Sequence, residues 1–133
     1  MLKDKKITIE HSNISLKLIK KNFRITPDQE LKFKIYIDKI ISFNKHTNIV
    51  GKSTLVDPWK SHILDCIQIA PYIKKNNTVL DMGTGAGLPG LVLSIMGYNQ
   101  VSVIDSNTKK INFVNNACKS LNLNANVLLE RIE

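Results

Sequence analysis

Residues 78–90, Thr-Val-Leu-Asp-Met-Gly-Thr-Gly-Ala-Gly-Leu-Pro-Gly, restrict this chain more than any other stretch. A short apolar run ends in an acid, Asp81. Four glycines follow within eight residues, Gly83, Gly85, Gly87 and Gly90, and then an apolar segment from Leu91 to Met96 that suits a helix. Strand, acid, glycine turn and helix together build a nucleotide-sized pocket at the carboxyl end of the first strand of an open α/β sheet. Glycines admit positive φ and let backbone approach a ligand closely. The helix that follows turns its free N–H groups toward the same space. A plain corner with no ligand is the competing reading, but a simple corner does not need the backbone entropy that four glycines cost.

The pattern has to be matched to a cofactor. From Gly85, the residues Gly-Ala-Gly-Leu-Pro-Gly satisfy the dinucleotide fingerprint G-x-G-x-x-G. Placement argues against it, because in that motif the first glycine follows the strand directly. Counting instead from Gly83 puts Leu88 where the third glycine belongs. An acid at the strand end also repels a pyrophosphate, whereas it suits a cation. S-adenosylmethionine carries an ammonium and a sulfonium and no phosphate, and D-x-G-x-G-x-G resembles the first motif of class I methyltransferases that use it. A second acid supports the pocket. The β-branched run Gln100–Ile104 reads as a strand and ends in Asp105, 20 residues after Gly85. An acid there can accept hydrogen bonds from ribose hydroxyls, and NAD and S-adenosylmethionine share that ribose. The other role for Asp105 is a turn or helix-cap acid ahead of Asn107-Thr108.

The rest of the chain divides in two. Residues 1–13 are polar. Leu16, Ile19 and Phe23 give a short amphipathic helix over 15–23. Thr26-Pro27-Asp28-Gln29 is a helix start with a capping residue, proline at the first position and glutamine three after the cap. Phe33, Tyr36, Ile37, Ile40 and Ile41 then form an apolar stripe that fades near 43–46. Residues 47–54 read as a loop. Asp57-Pro58 opens another helix, with Trp59, Ile63, Cys66, Ile67 and Ala70 on one face and Pro71 at its end. From residue 76 the rhythm is strand (78–82), helix (88–96), strand (100–105), helix (108–121) and strand (126–130). The expectation is therefore a helical segment, 1–75, followed by a partial Rossmann-like α/β domain, 76–133. Right-handed crossovers put the three strands in the order 3-2-1, with the first strand at an open edge. Such an edge is a liability in a parallel sheet, so the expectation is of a truncated chain that holds the cofactor-binding half.

Composition narrows the function classes. The chain has 133 residues, and no apolar run approaches the length of a membrane span, so a cytoplasmic location is expected. Cys66 and Cys118 lie far apart among apolar neighbours, which favours reduced, structural thiols, and no ligand cluster for zinc is present. A net charge of +8 is compatible with a nucleic-acid partner, although a sequence rich in Lys, Asn and Ile would acquire such a charge without one.

Asp81 to Gly90 resembles the D-[VI]-G-[TS]-G-x-G-[LF]-P-G block of the bacterial 16S ribosomal RNA guanine-N7 methyltransferases, a family also called glucose-inhibited division protein B. The Leu88-Pro89-Gly90 extension distinguishes that family from other methyltransferases. Three further stretches agree. Ser61 to Cys66 is similar to its R-H-I-L-D-S segment, Asn44 to Val50 to its W-N-K-x-x-N-L-T stretch, and Asp105 to Val114 to its D-S-x-x-K-[KR]-x-x-F-L run. Ser61 stands where the family usually has Arg, and Ser42-Phe43 where it has Trp. The resemblance implies α/β fold class, with a helical part ahead of the first half of a class I methyltransferase sheet. It implies S-adenosyl-L-methionine as cofactor and 16S ribosomal RNA or the small ribosomal subunit as partner, with the oligomeric state left open. The cofactor contacts it implies fall on Gly83, Leu88, Asp105, Ile132 and Glu133, beside Asp81, Gly85 and Gly87 of the turn. The alternative is a non-catalytic RNA- or ribosome-binding fragment of the same fold.

Guanine N7 has an in-plane lone pair and no proton, so its methylation needs alignment and exclusion of water rather than a general base. Accordingly no catalytic residue is assigned. Asp81 is expected to hold the methionine end of the cofactor, with capping of the glycine turn as the other reading. Lys109 and Lys110 are candidates for RNA phosphates, or else a solvated helix face. His62 and Asp65 are expected to form a structural hydrogen-bonded pair, and Trp59 to belong to the core.

Overall fold

The computed structural model describes residues 14–131, and everything below concerns these. Two helices lead: α1 (Ile14–Asn22) and α2 (Pro27–Asn44). The start of α2 is local chemistry. The Thr26 side chain accepts from the Gln29 N–H, and the Gln29 side chain accepts from the Thr26 N–H, with Pro27 in the first turn. A 3₁₀ turn (Lys52–Leu55) occupies the expected loop, and a π-helical segment (Trp59–Leu64) runs into the short helix α3 (Asp65–Ile67). The sequence expectation of one continuous helix beginning at Asp57-Pro58 is thus corrected in type. The segment is wound more widely over its first turns, and the Asp65 N–H donates to the Lys60 carbonyl, five residues back.

The α/β part follows as β1 (Val79–Met82), α4 (Gly90–Ile95), β2 (Val101–Asp105), α5 (Thr108–Leu121) and β3 (Asn126–Leu129). All pairings are parallel in the order β1-β2-β3, with Val79 opposite Val101 and Ser102 opposite Asn126. β1 is an edge strand, as the crossover argument requires. The strands are a residue shorter than the apolar runs, and α4 begins two residues later than expected. The reason is that 84–89 are spent on tight turns, closed by the Gly87 and Leu88 N–H groups donating to the Thr84 carbonyl. Asn122, left-handed at φ 56°, ends α5, and Gly97 at φ 104° closes the segment after α4.

One core joins the helical and α/β parts. Phe33, Tyr36, Ile37 and Ile40 of α2, Trp59, Ile63 and Ile67 of the following helix, and Leu91 to Leu93 of α4 are buried together with Val101 and Val103 of β2. Trp59 is only 1% exposed and meets Phe33 edge-on, so its role is packing, as expected. Asp81 and Val103 share the sheet face on which α4 lies, since a Cβ added at Gly90 would meet both. The opposite face carries Leu80, Met82 and Leu128, which are 55%, 58% and 38% exposed. Both thiols are free. Burial pushes Cys66 up to about 12 and Cys118 up to about 11, so each stays protonated at neutral pH.

Candidate cofactor site

The glycine turn hangs between the ends of two adjacent strands. The Gly83 and Thr84 N–H groups both donate to the Ile104 carbonyl, at 2.8 and 2.9 Å, which lashes the turn to the end of β2. Asp105, the last residue of β2, then takes the Gly85 N–H on Oδ2 at 2.9 Å and the Asn107 N–H on Oδ1 at 2.9 Å. One carboxylate therefore orders both the turn before it and the helix start after it. Asn107 itself caps α5, its side chain accepting from the Lys110 N–H. The two readings of Asp105 are compatible: it is a turn acid, and its carboxylate keeps acceptor capacity that can face a hydroxyl.

Asp81 has different neighbours. Its Oδ2 accepts from the Thr84 hydroxyl at 2.6 Å and from the Gly90 N–H at 2.9 Å. The capping reading is thus what these side chains do, and the first N–H of α4 is spent on Asp81. Both bonds fall on Oδ2; Oδ1 takes none among the described residues. Burial pushes the Asp81 carboxyl above its ordinary range. The Thr84 and Gly90 hydrogen bonds offset this in part, and the charge of Asp105 adds to it. For Asp105 burial also acts upward, but the hydrogen bonds from Asn107 and Gly85, the charge of Lys110 and the Ser106 N–H together outweigh it and hold the carboxyl below its ordinary range.

The glycines have two distinct jobs. At Gly83 (φ 72°) and Gly85 (φ 60°) nothing lies within 4 Å of the place a Cβ would take, so bare backbone faces open space. At Gly87 (φ 95°) a Cβ would stand 2.8 Å from the Leu91 side chain and 3.1 Å from the Tyr36 hydroxyl; at Gly90 it would stand 2.4 Å from Val103 Cγ1. The first pair leaves open space, and the second pair admits the protein's own packing. Leu88 is half-buried and joined to Pro89 by a cis peptide.

Tyr36 is a site residue that sequence reasoning assigned only to the apolar stripe of α2. Its buried hydroxyl donates to the Ala86 carbonyl at 2.6 Å and so ties the helical part to the middle of the glycine turn. An aromatic with a hydroxyl among isoleucines is the one available signal. His62 is a correction: it does not hydrogen-bond to Asp65. Its Nε2 pairs with the Thr54 hydroxyl at 2.8 Å, because the 3₁₀ turn folds back over the π-helical segment. Lys109 is exposed, and Lys110 is half-buried with its charge acting on Asp105. Ile132 and Glu133 lie outside the described residues.

A parallel sheet with acids ending two adjacent strands and a bare glycine turn between them defines the class: a partial Rossmann-like fold of the class I methyltransferase type. The sequence profile of rRNA small subunit methyltransferase G matches residues 29–133. Three curated proteins named "Ribosomal RNA small subunit methyltransferase G" align over 103 residues, which is 77% of this chain and 54% of each relative. They come from Rickettsia rickettsii (strain Sheila Smith), at 41% identity, Rickettsia africae (strain ESF-5), at 40%, and Rickettsia bellii (strain OSU 85-389), at 37%. The chain belongs to the rRNA small subunit methyltransferase G family, and it spans about half the length of the curated relatives it matches. Among the described residues no helix is long and apolar enough to cross a membrane.

Proposed function

We propose that this chain holds S-adenosylmethionine across the ends of β1 and β2, and that the protein it represents methylates N7 of a guanine in 16S ribosomal RNA in the cytoplasm. The observation that carries the reading is the pair of acids on either side of open glycine backbone: Asp81 and Asp105, with Gly83 and Gly85 between them. The donor set fits this cofactor better than a dinucleotide. A pyrophosphate would meet two carboxylates, one of them already raised by burial. An ammonium would instead compensate Asp81 where Oδ1 takes no other bond. Asp105, fixed by Gly85 and Asn107, would receive the ribose hydroxyls on its remaining lone pairs. Leu88, at the far side of the turn, would cover apolar surface of the cofactor.

When bound, S-adenosylmethionine supplies an electrophilic methyl on a sulfonium. The work left to the chain is positioning. Asp81 would orient the methionine end, Gly83 and Gly85 would let the cofactor lie against backbone, and Tyr36 would hold the turn's shape through Ala86. The target N7 brings its own lone pair, so no side chain has to remove a proton. Lys109 and Lys110, at the start of α5, are the proposed phosphate contacts, each adding to the salt dependence of RNA binding.

Isothermal calorimetry with S-adenosylmethionine tests the cofactor reading. Saturable heat that disappears in Gly83→Ala and Asp105→Ala is the expected result. No heat from the folded chain, or equal heat from both variants, would overturn it and leave the RNA-binding alternative.

A further inference from the structure

Beside the glycine turn lies a second concavity of about 350 Å³, between the Trp59–Ile67 helical stretch and the end of the turn. Its apolar lining is Leu88, Pro89 and Ile69, and its polar lining is Ser61, His62 and Asp65. The Asp65 carboxylate is exposed here and takes no hydrogen bond or ion pair among the described residues. Cys66 lines the same cavity.

We propose that this cavity receives the target guanine base, and that Asp65 is the residue that selects it. The proposal rests on the methyltransferase reading above. A flat base suits a slot with apolar faces, and RNA is read in a sequence-specific way through bases splayed out of their stack, often at the Watson–Crick edge. A carboxylate presents two acceptor oxygens side by side. Guanine presents two adjacent donors, N1–H and the N2 amino group, and matches it; adenine presents an acceptor at N1 and is repelled. Holding guanine by that edge turns the opposite edge, which bears N7, away from Asp65. His62 lines the cavity beside Asp65 and does not compete for it. Its burial pushes the ring pKa down although Asp65 acts the other way, and its Nε2 is engaged by Thr54, so no imidazolium competes for the Asp65 carboxylate near neutral pH.

Amide NMR of the ¹⁵N-labelled chain, titrated with GMP and with AMP in the presence of saturating S-adenosylmethionine, tests this. The expected result is shifts at Ser61 to Cys66 and at Leu88, with GMP binding about tenfold more tightly than AMP, the discrimination a bidentate pair supplies. Asp65→Asn should abolish that preference while leaving S-adenosylmethionine binding unchanged. Equal binding of the two nucleotides, shifts confined to other surfaces, or displacement of GMP by S-adenosylmethionine would each overturn the proposal. If S-adenosylmethionine fails to bind but GMP is still preferred through Asp65, the cofactor reading fails and the guanine site stands.

Discussion

The carboxyl-terminal parts of β1 and β2 each carry an aspartate, Asp81 opposite Val103 and Asp105 two residues further along, and the fold treats them in opposite ways. Asp105 at the end of β2 is bonded by backbone N–H groups on both oxygens and lies near Lys110, so its charge is stabilised. Asp81 at the end of β1 is buried beside α4, its two hydrogen bonds converge on one oxygen, and the charge of Asp105 acts on it from nearby. One acid is satisfied by the protein, and the other is held at some cost with its hydrogen bonds on one oxygen. Position in a fold therefore does not determine the state of a carboxylate; the donors around it do.

The comparison can be broken most forcefully at the packing that holds Asp81 in place. Gly90→Ala puts a methyl 2.4 Å from Val103 Cγ1 and 3.0 Å from Asp81 Oδ2, and should cost about 3 kcal/mol in denaturant unfolding. Next comes Asp105→Ala, which orphans the Gly85 and Asn107 N–H groups. A loss of about 2 kcal/mol is expected, as for hydrogen bonds to a charged acceptor, together with loss of cofactor affinity. Tyr36→Phe removes the tie to Ala86 and should cost about 1 kcal/mol. Unaltered unfolding in that variant would show that the turn holds its shape without α2.

The smallest effect on stability is the most informative. Asp81→Asn keeps an acceptor for Thr84 and Gly90 and removes a charge that burial disfavours. Stability at pH 7 should be unchanged or slightly raised, while affinity for S-adenosylmethionine falls about tenfold, in the range of a charge-assisted contact. The two acids should also separate with pH. Asp105, whose carboxyl is lower in the folded state, contributes stability that is present above the unfolded value near 4 and is lost as pH falls through the folded value. Asp81, whose carboxyl is higher when folded, binds its proton more tightly in the native state. Its ionisation subtracts stability as pH rises from about 4 through the folded value, and Asp81→Asn should flatten that limb of the stability curve. An Asp81→Asn curve that parallels the parent through that range would dissolve the contrast.

Much of this was legible without coordinates because it is written in near neighbours. The Thr26-Gln29 capping box, the α2 stripe, the β-branched strands and the glycine turn are all set by residues within a few positions of one another. The observed strand order is one that right-handed crossovers allow, with both connecting helices on one face. Other features required contacts across the chain. His62 finds Thr54 rather than Asp65, and Tyr36 reaches Ala86 fifty residues on. The expected helix after Asp57 winds partly as a π-helix, a change of pitch that hydrophobic periodicity does not encode.

The amino-acid sequence by itself determined that Asp81 and Asp105 would end adjacent strands with a glycine turn between them, because local propensity and crossover handedness leave little choice. The tertiary structure decided which acid would be satisfied and which would be left with an oxygen to spare. Which donors surround a carboxylate depends on how α4 and α5 pack against the sheet. It also decided that Gly83 and Gly85 face open space while Gly87 and Gly90 are pressed against Leu91 and Val103, a distinction between four identical residues that only packing can make.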